Sequence, residues 1–224
     1  MSPFTSSELE ALLERPTRRL LTEEDRRAFS GRRVLITGGG GSVGAELARQ
    51  IALCEPACLT LLDSSELNLF QVERELRERF PRLALEPLLG DVTRSALMRQ
   101  AIQSARPHIV YHAAAYKHVT MVERAVCASV AVNVLGTWHT AEAARQAGAR
   151  FVLISSDKAA SPSSVMGATK RVAELVVKSA TSTTFRPIVV RFGNVLGSSG
   201  SVLTIMRERI RQGLPLPITD PAAT

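Results

Sequence analysis

From Arg33 onward, apolar runs of four to seven residues alternate with longer segments in which apolar positions return every three or four residues. The short runs predict strands at Val34–Thr37, Leu59–Asp63, Leu83–Leu89, His108–His112, Phe151–Ser155 and Ile188–Arg191. The segments between them predict helices at Val43–Cys54, Glu66–Phe80, Arg94–Ala105 and Val165–Ala180, with one long helix through Val119–Ala147. Strands separated by helices imply crossover connections and hence parallel pairing. Continuous rather than alternating apolar character belongs to strands covered on both faces. The expected fold class is α/β, a doubly wound parallel sheet.

A helical lead-in precedes this region. Ser7 and Glu10 have capping-box spacing ahead of Leu9, Leu12 and Leu13, Pro16 stops that helix, and Thr22 with Asp25 offers a second start. A further helix is expected at Val202–Arg211, before a Pro-rich turn. The domain expectation is a lead-in over 1–31, a dinucleotide-binding domain over 32–201 and the start of a second, incomplete region over 202–224.

At 224 residues, 45% hydrophobic and 22% charged, the chain suffices for one globular domain with its own core. Its longest uncharged run, Ala125–Ala141, contains Ser129, Asn133, Gly136, Thr137 and His139. A lipid-spanning helix would bury those polar groups unpaired, so the run reads as a half-buried helix. Met1–Glu10 has no basic cluster followed by an apolar core, and no secretory signal is expected. The formal net charge is +7, but arginines are dispersed and aromatics make up only 4%. No nucleic-acid partner is expected from that pattern. The charge reads instead as a solvated exterior around a site for an anionic ligand. Three cysteines, Cys54, Cys58 and Cys127, suggest reduced thiols in a cytoplasmic setting. Pro56 separates the first two and no neighbouring His or Cys completes a tetrad, so they read as small buried hydrophobes, and no metal is expected.

Candidate chemistry begins after the first strand, at Thr37-Gly38-Gly39-Gly40-Gly41-Ser42-Val43-Gly44. A strand, a glycine turn and a helix start together form a cradle for a dinucleotide pyrophosphate. Gly38, Gly41 and Gly44 supply the tight turn, the close approach and the close helix contact, with Thr37, Ser42 and Val43 beside them. The second strand ends at Asp63, where a carboxylate meets an adenosine ribose and repels a ribose phosphate; NAD is therefore expected over NADP. A P-loop is excluded because no Lys precedes Ser42. Asp91 and Val92 after the third strand, and Ala113 and Ala114 after the fourth, fall on the same carboxyl edge. Asp91 reads either as a cofactor contact or as a helix N-terminal charge.

The fifth strand runs into Ser155-Ser156-Asp157-Lys158, followed by Val165-Met166-Gly167-Ala168-Thr169-Lys170-Arg171. In short-chain dehydrogenases a Tyr stands four residues before such a Lys; here that position is Met166. An acid beside a base, Asp157 and Lys158, suits an elimination, in which one group takes a carbon-bound proton and another protonates a departing hydroxyl.

Together with Thr37–Gly44, His112–Val119, Asn133–Thr137 and Arg191–Ser198, these segments resemble the polysaccharide-biosynthesis (CapD-type) nucleotide-sugar 4,6-dehydratases of the extended short-chain dehydrogenase/reductase superfamily. The likeness runs from Arg33 to the end, and the long members of the family also carry Met in place of Tyr. The resemblance implies a redox-neutral dehydration of a UDP-N-acetylhexosamine such as UDP-N-acetylglucosamine, with NAD as cofactor. It implies Lys158 as base at C5, Asp157 as acid at the C6 hydroxyl, Ser156 at the C4 oxygen and Lys170 on the nicotinamide ribose. It places Lys117 and His118 in the sugar pocket and Asn194 at the substrate diphosphate. It further implies a homo-oligomer in the complete protein, and an inner-membrane anchor in long relatives whose active domain faces the cytoplasm. A sugar 4-epimerase or reductase, and a non-catalytic NAD-binding module, are the alternatives. Family members continue beyond the turn at Thr219–Thr224 into a portion that closes over the sugar nucleotide, so this chain is expected to bind NAD with little dehydratase activity.

Overall fold

A computed structural model describes residues 6–14, 21–195, 198 and 202–216. Its centre is a six-stranded sheet of β1 (Arg33–Thr37), β2 (Cys58–Asp63), β3 (Leu85–Leu89), β4 (Ile109–His112), β5 (Arg150–Ser156) and β6 (Ile188–Phe192). Every pairing is parallel and the order is β3-β2-β1-β4-β5-β6. The strand order reverses between β1 and β4, and at such a switch point a crevice opens at the carboxyl ends of the strands.

Side chains alternate across the strands, yet both faces are dry, which is why the runs read as continuously apolar. Val34, Ile36, Leu59 and Leu61 pack on one face against Ala45, Ala48 and Ile51 of α3 (Ser42–Ala52) and Leu69, Val72 and Leu76 of α4 (Glu66–Arg79). Leu35, Val110, Phe151 and Leu153 face the other layer, formed by α5 (Ser95–Ala105), α8 (Thr137–Gln146) and α9 (Val165–Ser179). The edge strand β6 is barely covered, with Ile188 54% exposed.

The predicted long helix through Val119–Ala147 is not one helix. It divides into α6 (Val119–Val122), α7 (Val126–Val130), a π-helical turn at Ala131–Gly136 and α8. The widened turn carries Asn133 into the interior, where its amide is fully partnered; a regular α-helical period does not anticipate that demand. The other polar groups of the uncharged run are likewise satisfied: Ser129 Oγ donates to the Ala125 carbonyl and Thr137 Oγ1 to that of Asn133.

The capping box at Thr22 and Asp25 is present and starts α2 (Glu23–Phe29). Ser7 lies inside α1 (Ser6–Leu13) rather than before it, so the first proposed cap is displaced; Pro16 lies outside the described residues. The last helix, α10, spans Val202–Arg211 as expected. By contacts the chain forms two compact units, Leu21–Gly193 and a second composed of Met1–Leu20 with Asn194–Thr224. Cys54 is buried, Cys58 half-buried and Cys127 exposed. Among the described residues no helix is long and apolar enough to cross a membrane.

Candidate active site at the carboxyl edge of the sheet

Gly38 leaves β1 with φ +70°, a conformation that an L side chain adopts only with strain. A Cβ at Gly38 would stand 2.6 Å from the Ala114 nitrogen, and one at Gly44 would stand 2.0 Å from the Gly38 carbonyl oxygen. The turn therefore lies directly on Ala113 and Ala114 at the end of β4, and the first turn of α3 lies directly on the glycine turn. Gly41 caps α3 without any side-chain hydrogen bond, which leaves the positive end of the helix facing the turn. Asp63 braces the arrangement: one carboxylate oxygen accepts from the Gly40 amide at 2.9 Å and the other from the Ser65 amide at 2.8 Å. The cradle is thus built around glycine and already holds the carboxylate expected at a ribose.

Asp91 accepts from the Thr93 amide at 2.8 Å, three residues before the Arg94 cap of α5. It shapes the turn that carries Val92 into the core. A Cβ at Gly136 would meet Val92 Cγ2 at 2.6 Å, so that glycine lets the π-helical segment close on this edge.

On the far side of β4, β5 ends at Ser156 and a single 3-10 turn, Asp157–Ala159, follows. Three donors converge on Asp157 Oδ1: Ser156 Oγ at 2.9 Å, the Lys158 amide at 2.8 Å and Lys158 Nζ at 3.2 Å. The Ser156 hydroxyl, followed by Lys158, holds the Asp157 carboxyl below its usual pKa. Both charged side chains are largely open to solvent, at 54% for Asp157 and 41% for Lys158. One strand separates this turn from the glycine cradle, which puts the two roughly 10 Å apart at the usual inter-strand spacing.

Helix α9 begins beside that turn. Its first amides are capped by Ser164 Oγ, which accepts from Gly167, and by Glu123, which accepts from Val165 at 2.7 Å. Gly167 rests on the Lys158 carbonyl, where a Cβ would approach to 2.6 Å. Met166 is buried at 5% exposure, and Lys170 is buried with its Nζ donating to the Ile154 carbonyl at 2.6 Å. Burial pulls the Lys170 ammonium down to about 8 against the opposing pull of Glu174. Lys117 and His118 stand exposed on the loop after β4, and partial desolvation lowers the Lys117 pKa. Asn194 is exposed and belongs to the other compact unit. The structure therefore gathers Ser156, Asp157, Lys158, Met166 and Lys170 around β5 and α9, and the cradle residues around β1 and α3.

Sequence reasoning passed over the buried polar groups that hold these pieces together. His112 is enclosed between two threonines: Thr37 Oγ1 lies 2.7 Å from Nδ1 and Thr137 Oγ1 lies 3.1 Å from Nε2. Thr137 already donates its hydrogen to the Asn133 carbonyl at 2.7 Å, so Nε2 carries the His112 proton and Nδ1 accepts from Thr37. Burial, then the charge of Lys170, push the His112 pKa down to about 3 and keep the ring neutral. Asn133 holds both backbone groups of Tyr116 and reaches Thr169 Oγ1 on α9 at 3.0 Å. Glu174 accepts from Ser155, Arg171 and Arg191, and Arg191 above all holds it at about 2. The signal available in sequence was polar residues inside apolar segments, Asn133 in the uncharged run and Glu174 in an amphipathic helix.

A model of the family described as polysaccharide biosynthesis protein matches residues 34–224. The probable polysaccharide biosynthesis protein EpsC of Bacillus subtilis is 42% identical over 220 residues, which cover 96% of this chain and 36% of that one. A UDP-N-acetylglucosamine 4,6-dehydratase (inverting) of Campylobacter jejuni is 31% identical over 88% of this chain and 59% of its own length. Among solved structures, the dTDP-glucose 4,6-dehydratase DesIV of Streptomyces venezuelae, with NAD and TYD bound, superposes with a TM-score of 0.73 at 22% identity, covering 86% of this chain and 66% of that one. At that identity the likeness is one of fold. The chain spans about a third of the Bacillus protein and about three fifths of the Campylobacter one.

Proposed function

The chain belongs to the polysaccharide biosynthesis protein family, within the short-chain dehydrogenase/reductase superfamily, and we propose that it forms the cofactor-binding and acid–base portion of a nucleotide-sugar 4,6-dehydratase acting on UDP-N-acetylglucosamine. The observation that carries this reading is the Asp157–Lys158 contact of 3.2 Å at the end of β5, on the same sheet edge as the glycine cradle.

The cradle fits NAD. Gly38 and Gly44 have no room for a Cβ, the α3 start faces the turn without a side-chain cap, and Asp63 is positioned at the second strand's end. When bound there, NAD supplies the electron acceptor that makes sugar C4 a ketone and returns the electrons at C6. A C4 ketone acidifies the C5 proton, and the chain's own task is to move that proton and release the C6 hydroxyl as water. Asp157 takes the C4 hydroxyl proton and passes it to the departing C6 hydroxyl, while Lys158 takes the C5 proton and gives it back to C5 when the electrons return at C6. The Ser156 hydroxyl, then Lys158, hold the Asp157 carboxyl below its usual pKa, which keeps the carboxylate ready to accept the C4 hydroxyl proton. Ser156, which now donates to Asp157, holds the C4 oxygen, and Lys170 holds the nicotinamide ribose. Lys117 and His118 contribute to the substrate side. A 4-epimerase or reductase reading is less well supported, because the position four residues before Lys170 is a buried thioether with no proton to exchange.

The test uses a complete protein carrying this portion, incubated with UDP-N-acetylglucosamine. The expected product is lighter by one water and carries a 4-keto group that absorbs in alkali. Epimerised substrate of unchanged mass would select the epimerase reading, and unchanged substrate with NAD bound the non-catalytic one.

A further inference from the structure

At the amino edge of the sheet, opposite the cradle, the starts of β1, β4 and β5 and the C-terminal ends of α5 and α8 surround a cavity of about 530 Å³. That volume is in the range of small-molecule sites. Four arginines line it, Arg32, Arg33, Arg106 and Arg150, together with His108, and no carboxylate does. Some arginines elsewhere are paired, Arg49 with Glu75, Arg77 with Glu73, Arg145 with Glu142 and Arg191 with Glu174, while others such as Arg82, Arg99 and Arg124 stand singly; what sets the cavity apart is four on one wall. Among the described residues none of the four at the cavity has an ion-pair partner.

Helix ends do not explain the cluster. A helix C-terminus carries about half a negative charge, so the two ends here offset about one of four positive charges. The backbone draws the cations together: Arg33 Nε donates to the Arg106 carbonyl at 2.7 Å, and the Arg33 amide donates to His108 Nδ1 at 2.9 Å. Accepting at Nδ1 leaves the His108 proton on Nε2, so the ring is a further donor and not another cation. Its pKa is lowered by desolvation and then by the charges of Arg33 and Arg32. Ile102, Pro107 and Ala147 give the cavity an apolar wall.

We propose that this cavity is a second anion site, which binds a small phosphorylated ligand through Arg32, Arg33, Arg106, Arg150 and His108. Guanidinium groups match phosphate oxygens in pairs, and several convergent ones suit a di- or triphosphate better than a single carboxylate. β1 runs from this site to the glycine cradle, and its five residues keep the two roughly 15 Å apart. Occupancy of one does not exclude the other.

The test is calorimetric titration of the 224-residue chain with inorganic tripolyphosphate, and separately with ATP, at near-physiological salt with NAD saturating. One saturable site is expected. Arg32→Gln with Arg150→Gln should weaken it at least tenfold while NAD retention and circular dichroism stay unchanged; both side chains are exposed and neither holds a described hydrogen bond. Arg106→Gln alone should weaken it less. Arg74→Gln with Arg79→Gln, which removes the same charge from α4, should leave it unchanged. Tighter binding of ATP supports a nucleotide occupant and tighter binding of tripolyphosphate an inorganic one, each in favour of the site. Absence of saturable binding, equal loss in the α4 variant, or displacement of the probe by NAD would overturn the proposal.

Discussion

At the glycine turn after β1, backbone lies against backbone: a Cβ on Gly44 would sit 2.0 Å from the Gly38 oxygen, and Asp63 ties the turn to β2. At the turn after β5, two charged side chains are held mostly by each other and by Ser156, with about half of their surface in solvent. The first region is preorganised by packing, so its shape and its ligand affinity are the same physical property. The second is displayed by a rigid strand and a buried helix start, and an exposed ion pair contributes about 0–1 kcal/mol to stability. Function and stability should therefore be coupled at the cradle and separable at the β5 turn.

The strongest way to break that contrast is Gly44→Val. Overpacking against movable side chains typically costs about 1–3 kcal/mol; here the obstacle is backbone, and a loss of at least ~3 kcal/mol is expected in denaturant unfolding, with NAD no longer co-purifying. A folded Gly44→Val protein that keeps NAD would show that the cradle is not packed as described.

At the other turn, Lys158→Ala and Asp157→Asn in the complete enzyme should each lower turnover by about two orders of magnitude or more. Stability should move by no more than about 0.5 kcal/mol. Unfolding midpoints that fall in step with turnover would erase the distinction.

The buried polar groups between the regions sharpen it through pH. His112 titrates at about 3 in the folded chain against an ordinary 6.5, so the unfolded chain binds the extra proton first. Stability is then fully present above pH 6.5 and falls as pH drops toward 3, by up to about 1.4 kcal/mol per unit. Glu174, at about 2 against 4.5, adds a loss below pH 4.5. His112→Gln should flatten the limb between pH 6.5 and 4.5; an unchanged slope would mean that the ring is not buried neutral.

The smallest effect is expected from Met166→Leu, a volume-conserving change at a buried site, at less than about 1.5 kcal/mol and with turnover of the same order. A collapse like that of Lys158→Ala would give the thioether a role in the reaction.

Much of this was legible in the chain itself, because it depends on neighbours in sequence. Six apolar runs became six parallel strands, and the Thr22 capping box stood where its residues placed it. The glycine spacing after Thr37 announced the cradle, and Asp157 beside Lys158 announced the charged contact at the end of β5. What tertiary structure decided involves residues far apart. The helix through Val119–Ala147 breaks and widens because Asn133 must meet Tyr116 and Thr169, and no local period records that requirement. Glu174 is buried because Ser155 and Arg191 lie across the fold from it. Arginines that look scattered at positions 32, 33, 106 and 150 become one cavity wall, since the parallel strands β1, β4 and β5 all start at the same edge. Propensity and turn chemistry act over a few residues, whereas burial and charge act between whatever the sheet brings together, so only the assembled fold could show where those groups meet.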